Sequence, residues 1–209
     1  MEFRKALQAG ASEQRLAKLM QARARASGDT DAIDKRIWDL FGERWAIMFT
    51  DLSGFSRNVA EFGIVHFLQI MFEAEQLLMP LIEAHDGILL KVEGDSYLVI
   101  FRNPQKAVGA AIAMQRTLRR YNKGRAQHEQ VLLGVGLGYG DVLRIGDADV
   151  FGAEVNAASK LGEDTAAAGD ILVTGALRDI ADSVDGVRDA TALQYIPPGA
   201  TSAHRLNYD

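Results

Sequence analysis

The chain has 209 residues, 48% of them hydrophobic and 8% aromatic, and a formal net charge of −5. That length and apolar fraction can fill one core, so one domain with an appendage is expected rather than two domains. The acidic balance excludes a general nucleic-acid coat, which needs clustered Lys and Arg, and the absence of cysteine excludes disulfides and thiolate metal sites.

A cysteine-free chain fits a reducing compartment, and a cytoplasmic location is expected. The opening MEFRKALQAG lacks the apolar core of a secretory signal, and no uncharged apolar run reaches the ~18 residues that a membrane span requires. Residues 1–30 carry six basic side chains (Arg4, Lys5, Arg15, Lys18, Arg23, Arg25) against three acids, with Leu16, Leu19 and Met20 at helical spacing. An amphipathic arm follows from that pattern. The polar cluster SGDTDA interrupts it, and Ile33, Ile37 and Leu40 mark a short second helix. The boundary is therefore placed near residue 42, between an N-terminal helical arm (1–42) and a domain (43–209). The arm is expected to pack on the domain or on a second copy, with a membrane surface or nucleic acid as the other reading. Trp38 and Trp45 flank the domain entrance and are expected to pack that arm.

From residue 45 the elements alternate. Residues 45–50 read as a strand, and 56–85 as one or two Phe- and Leu-rich helices that Pro80 could bend. ILLKVEGDSYLVIF reads as a hairpin, and NPQKAVGAAIAMQRTLRRYN as a helix capped by Asn103 with Pro104 in its first turn. QVLLGVGLGYGDVLRIGD reads as a strand pair, AEVNAASKLGEDT as a helix, DILVT as a strand, ALRDIADSV as a helix, and the tail from Ala192 as a strand or hairpin. The order β-α-β-β-α-β with later additions predicts an α+β fold, a ferredoxin-like sandwich with helices on one face of an antiparallel sheet. Gly134, Gly136, Gly138 and Gly140 leave one strand face bare, which points to a close neighbour and not to a dinucleotide fingerprint. His66, His85, His128 and His204 have no metal-ligand spacing and are expected to be structural or surface residues, and the Met and Phe positions of residues 65–79 are expected in the core.

Two acids stand out. Asp51 ends the first strand and Asp95 sits in the hairpin turn, so the fold can bring both to one sheet edge. A carboxylate pair there suits Mg²⁺ or Mn²⁺, and the Ser53-Gly54 turn could aim backbone N–H groups at an anion. The alternative is that Asp51 or Ser53 caps the next helix and Asp95 is an ordinary hairpin acid; spacing alone leaves both open.

FTDLSGFS, KVEGDSYLVIF, GVGLGYGDVL and DVFGAEVNAASKL, in that order, resemble the successive signatures of class III nucleotidyl cyclase catalytic domains, over about residues 44–178. The resemblance implies that Asp51 and Asp95 hold two Mg²⁺ or Mn²⁺ ions on a nucleoside triphosphate. It implies that Ser53, Gly54 and Phe55 contact the substrate, that Lys91 and Asp149 read the purine, and that Asn156 orients the ribose. A Lys with an Asp is similar to the adenine-selecting pair, not the Glu and Cys of guanylyl enzymes, and favours ATP. Lys is donor-only and meets adenine N1; an ionised Asp accepts from the exocyclic amine.

Two positions depart from the family. Lys160 stands where the family has a transition-state arginine, keeping the charge without the two-pronged guanidinium, so slow turnover is expected. The tail QYIPPGATSAHRLNYD has no phosphate-gripping lysine; Pro197 or Pro198 stands there, with Arg205 as a speculative substitute. The family's site forms between two domains, which implies a homodimer with two composite sites. The implied function is conversion of ATP to 3′,5′-cyclic AMP and pyrophosphate. A nucleotide-binding regulatory module that has lost turnover is the second reading.

Overall fold

The computed structural model describes residues 2–53, 61–147 and 149–209, with side chains from Ala11 onward. Two helices, α1 (Glu2–Arg25) and α2 (Asp31–Phe41), lead into strand β1 (Gly42–Leu52). Then follow α3 (Ile64–Ala84), the hairpin β2 (Ile88–Glu93) and β3 (Ser96–Phe101), α4 (Pro104–Asn122), β4 (Leu133–Ile145), β5 (Asp149–Phe151) and α5 (Ala153–Gly162). The chain closes with β6 (Ile171–Thr174), α6 (Gly175–Ala181), β7 (Val187–Ala192) and β8 (Ala203–Tyr208).

The sheet runs β2-β3-β1-β4-β6-β8-β7, with β5 on β4. Its first four strands are antiparallel neighbours, the ferredoxin-like order predicted from the element sequence. The β6–β8 additions extend the sheet beyond β4.

β1 shows why this strand sits at the centre. Successive side chains alternate between faces. Ala46, Met48 and Leu52 join a core with α3, α4 and α6, whereas Trp45, Ile47 and Phe49 join a second one with Val150, Val155 and Ala158. Both faces are covered. Here the structure corrects the expected one-sided sandwich: α5 lies on the face opposite α3 and α4.

The glycine pattern explains how α5 fits. A Cβ on Gly138 would lie 2.6 Å from the Glu154 carbonyl oxygen, and one on Gly136 would lie 2.7 Å from the Gly162 Cα and closer still to backbone atoms of α5. On the helix side, a Cβ on Gly162 would lie 2.6 Å from the Phe49 carbonyl oxygen. Backbone meets backbone there, which is the close approach predicted for the bare strand face.

α3 buries Phe67, Ile70, Ala74, Leu78 and Ile82 along one stripe and runs unbroken through Pro80, whereas Phe72, expected in the core, falls off that stripe and is exposed. In α4 the Asn103 side chain accepts the Gln105 amide, the predicted cap, and buried Gln115 donates to the Leu133 carbonyl at 2.9 Å.

Three further differences concern packing. The predicted strand pair at 130–147 is one strand, β4, because β1 offers it ladder partners from Gly42↔Leu143 to Leu52↔Leu133. Leu19 packs with Ile37, Phe41 and Ile145, so α1 docks on the far end of β4, while Met20 stays exposed. Trp45 does not pack the arm: it is buried in the second core, donates to Glu43 at 2.8 Å and lies 3.9 Å beneath the Arg102 guanidinium, and Trp38 is half-exposed. His66, His85 and His204 bond to a carbonyl or hydroxyl, and His128 stacks on Phe62, in keeping with structural roles. No helix among the described residues is long and apolar enough to cross a membrane.

Candidate functional site

Asp51 shares the α5-facing side of β1 with Ile47 and Phe49, four and two residues before it. In the neighbouring strand β3, Ser96, next to Asp95, turns to the same side. Its hydroxyl lies 2.9 Å from the Thr50 carbonyl and 2.7 Å from Glu163 Oε1. The Ser96 contacts therefore tie the hairpin turn to the end of β1 and to the foot of α5. Both acids are perturbed. Burial, then the charges of Asp95, Glu163 and Asp164, push Asp51 up to about 6. Burial also raises Asp95, with Glu163 adding to the shift against its own backbone hydrogen bond. Like charges held together in a half-dry edge make the charged forms costly.

The fold thus brings the two predicted metal acids within electrostatic reach of each other. Among the described residues no three His, Asp or Glu side chains form a complete metal cage. A cation here would complete its shell with water and phosphate oxygens, as Mg²⁺ does when bound through one or two carboxylates.

Next to the acids opens a cleft of about 120 Å³, lined by Phe49, Lys91, Glu93, Ser96, Leu98, Asp149, Val150, Val155 and Glu163. Lys91 and Asp149, 58 positions apart in sequence, meet there at 2.8 Å. That bond, and then the charges of Asp149 and Glu93, raise the Lys91 pKa against partial desolvation. Phe49, Leu98, Val150 and Val155 furnish the apolar part of the wall, so a flat heterocycle would find a greasy slot with the Lys91–Asp149 pair at its edge.

Asn156 and Lys160 lie one turn apart on α5. The Asn156 amide donates to the Pro198 carbonyl at 2.8 Å, and the Lys160 ammonium to Asp164 at 2.6 Å, a contact that raises the Lys160 pKa. Solvent-exposed ion pairs of this kind are weak, so Asp164 does not lock the Lys160 ammonium in place.

Other expectations fare differently. The Ser53 amide is already bonded to the Leu132 carbonyl at 2.8 Å, so it is not available to an anion. Gly54 and Phe55 lie outside the described residues. The helix start after Ser53, which Asp51 or Ser53 caps in the alternative reading, also lies outside the described residues. Arg205 is no substitute for a tail lysine: it pairs with Asp170 at 3.0 Å in a separate cleft formed with Arg119 and Arg188.

Glu163 was not singled out from the sequence. Its two oxygens are 2.7 Å from the Ser96 hydroxyl and 2.6 Å from that of Ser159. The Ser159 contact has the i, i+4 spacing that a helix reading could have flagged; the Ser96 contact, 67 positions away, has no sequence signal.

Comparison with known proteins bears on this geometry. Residues 42–191 match the family model described as "Adenylate and Guanylate cyclase catalytic domain". The chain is 32% identical over 131 residues to "Serine/threonine-protein kinase pkn2" of Myxococcus xanthus, covering 63% of this chain and 16% of that protein. It is 31% identical over 116 residues to "Putative adenylate cyclase 3" of Rhizobium meliloti (strain 1021), covering 56% and 20%. The chain thus spans about a fifth or less of the length of these curated relatives. Among solved structures, an adenylate/guanylate cyclase/hydrolase from Silicibacter pomeroyi superposes with a TM-score of 0.66 at 24% identity, covering 80% of this chain and 98% of that one, a likeness of fold.

Proposed function

We propose that this chain, which belongs to the adenylate and guanylate cyclase catalytic-domain family, is an adenylate cyclase that converts ATP to 3′,5′-cyclic AMP and pyrophosphate as a homodimer. The observation that carries the reading is the 2.8 Å Lys91–Asp149 pair in a partly apolar cleft. The Rhizobium relative's name points the same way.

Adenine would exchange the mutual bond of that pair for two of its own, accepting a hydrogen bond from Lys91 at N1 and donating one from its N6 amine to Asp149. Guanine presents a carbonyl where adenine has the amine, which Asp149 would repel. Asp51 and Asp95 would hold the divalent cations against the triphosphate. Bound there, two Mg²⁺ or Mn²⁺ ions supply acidification of the ribose 3′-hydroxyl and charge neutralisation on the departing pyrophosphate. Asn156 would orient the ribose so that the 3′-oxygen lies in line with the α-phosphorus. The O3′–Pα bond forms as the bridging Pα–O bond breaks, pyrophosphate leaves, and the hydroxyl proton passes to solvent. Lys160 would offset charge growing on the α-phosphoryl oxygens, with a single ammonium in place of a fork. In a C2 dimer, the acids of one protomer would face the purine and ribose residues of its partner.

A second reading, a nucleotide-binding module with little turnover, is favoured by the engagement of Arg205 with Asp170 and the absence of a lysine in the tail. Incubation of the purified chain with ATP or GTP and Mn²⁺, with Asp51→Ala as the blank, separates the two. Cyclic AMP from the wild type alone is expected. ATP binding without product would select the module, and preferential cyclic GMP would overturn the purine assignment.

A further inference from the structure

The stretch between β7 and β8, residues 193–202, lies along α5. At one end Leu193 packs with Leu161 and Leu172 and donates its amide to the Ala203 carbonyl at 2.8 Å. Further on Pro197 is buried, Ala200 closes a turn onto the Pro197 carbonyl at 3.2 Å, and Ser202 accepts the Gly175 amide at 2.8 Å. Gly199, at φ +102°, passes so close to the start of α5 that a Cβ there would lie 2.8 Å from the Ala153 carbonyl carbon and nearer still to its oxygen. Two prolines restrict the segment and a left-handed glycine sets its approach, so it is a stiff strap with fixed anchor points. Between those points its Pro198 carbonyl takes the Asn156 amide at 2.8 Å, and Tyr195 lies within electrostatic reach of Lys160.

We propose that two residues of this strap position a group for the reaction: the Pro198 carbonyl fixes the amide plane of Asn156, and Gly199 is the residue that lets the strap come close enough to do so. The inference rests on the reading of Asn156 as the ribose-orienting residue. With one N–H held by the strap, Asn156 keeps its second N–H and its oxygen for a ligand in a single orientation. A free amide would have to lose that rotational freedom on every turnover. The strap thus gives this chain a task for its tail that does not depend on a lysine.

The test uses the full chain with Gly199→Ala, and Ile196→Ala, an exposed site on the same strap, as control. With Mn²⁺ and ATP, Gly199→Ala is expected to lose kcat about tenfold or more, since small misplacements of positioning groups carry costs of that order. KM should stay within about twofold and thermal unfolding should remain cooperative, whereas Ile196→Ala should match the wild type. Full or raised kcat in Gly199→Ala overturns the proposal, raised activity marking the strap as a brake. A second readout is independent of turnover. In ¹H–¹⁵N spectra assigned with Asn156→Ala, the Asn156 side-chain amide should show one exchange-protected proton in the wild type and none in Gly199→Ala. Two freely exchanging protons in the wild type overturn the proposal even if Gly199→Ala fails to fold. A wild type that makes no cyclic nucleotide but keeps the protected proton refutes the cyclase reading and leaves the strap contact standing.

Discussion

Asp51→Asn is expected to make the metal-free fold more stable at neutral pH. Asp51 titrates at about 6 in the fold, raised from 3.8 first by burial and then by neighbouring acids. Because the folded value is the higher one, the native state binds the proton more tightly than the unfolded chain. The stability this confers is complete below about pH 4 and is lost as pH rises through about 6. The shift corresponds to roughly 3 kcal/mol at ~1.36 kcal/mol per unit. Since the carboxylate is only half-buried, solvent screening reduces the expected gain in Asp51→Asn to about 1–2 kcal/mol at pH 7.5. Urea unfolding in EDTA, followed by circular dichroism at pH 4 and pH 7.5, measures this directly. The variant should exceed the wild type at pH 7.5 and approach it at pH 4, and millimolar Mn²⁺ should stabilise the wild type far more than the variant. Equal stabilities at pH 7.5, or a gap independent of pH, would refute the claim that the acids are packed together at a cost to the fold. Such a cost is common where a site is built for a ligand.

Lys160→Arg should raise kcat with ATP several-fold by restoring a planar fork at the phosphates; an unchanged or lower rate counts against the role assigned to that position. The double substitution Lys91→Glu with Asp149→Cys should move preference from ATP toward GTP, because Glu accepts from guanine N1–H and the 2-amine; retained ATP preference in a two-substrate competition would reject the purine assignment. Gly136→Ala should cost about 2–4 kcal/mol in urea unfolding, since the new methyl group would run into α5 backbone that cannot rotate away. A near-neutral Gly136→Ala would mean that α5 sits further from β4 than described.

Much of the scaffold was legible because it depends on local patterning. The apolar alternation of WAIMFT, the acidic hairpin turn of KVEGDSY, the Asn103-Pro104 helix start and the period-two glycines each follow from short-range geometry, and each stands in the fold where the pattern placed it. The strand boundaries were less legible. The stretch 130–147 reads as a strand pair, yet the ladder offered by β1 carries β4 through most of it as one strand.

What sequence alone determined is the order of elements and the chemical kind of the site: two acids at strand and hairpin ends, a Lys with an Asp, and an Asn with a Lys one helical turn on. Tertiary structure decided which of these groups meet and what else holds them. It set Lys91 against Asp149, Ser96 against Glu163, Asn156 against Pro198, and Arg205 against Asp170. The physical reason is that propensity and periodicity act over a few residues, whereas side-chain partners separated by 35 to 67 positions are chosen by how strands and helices stack once the core has closed.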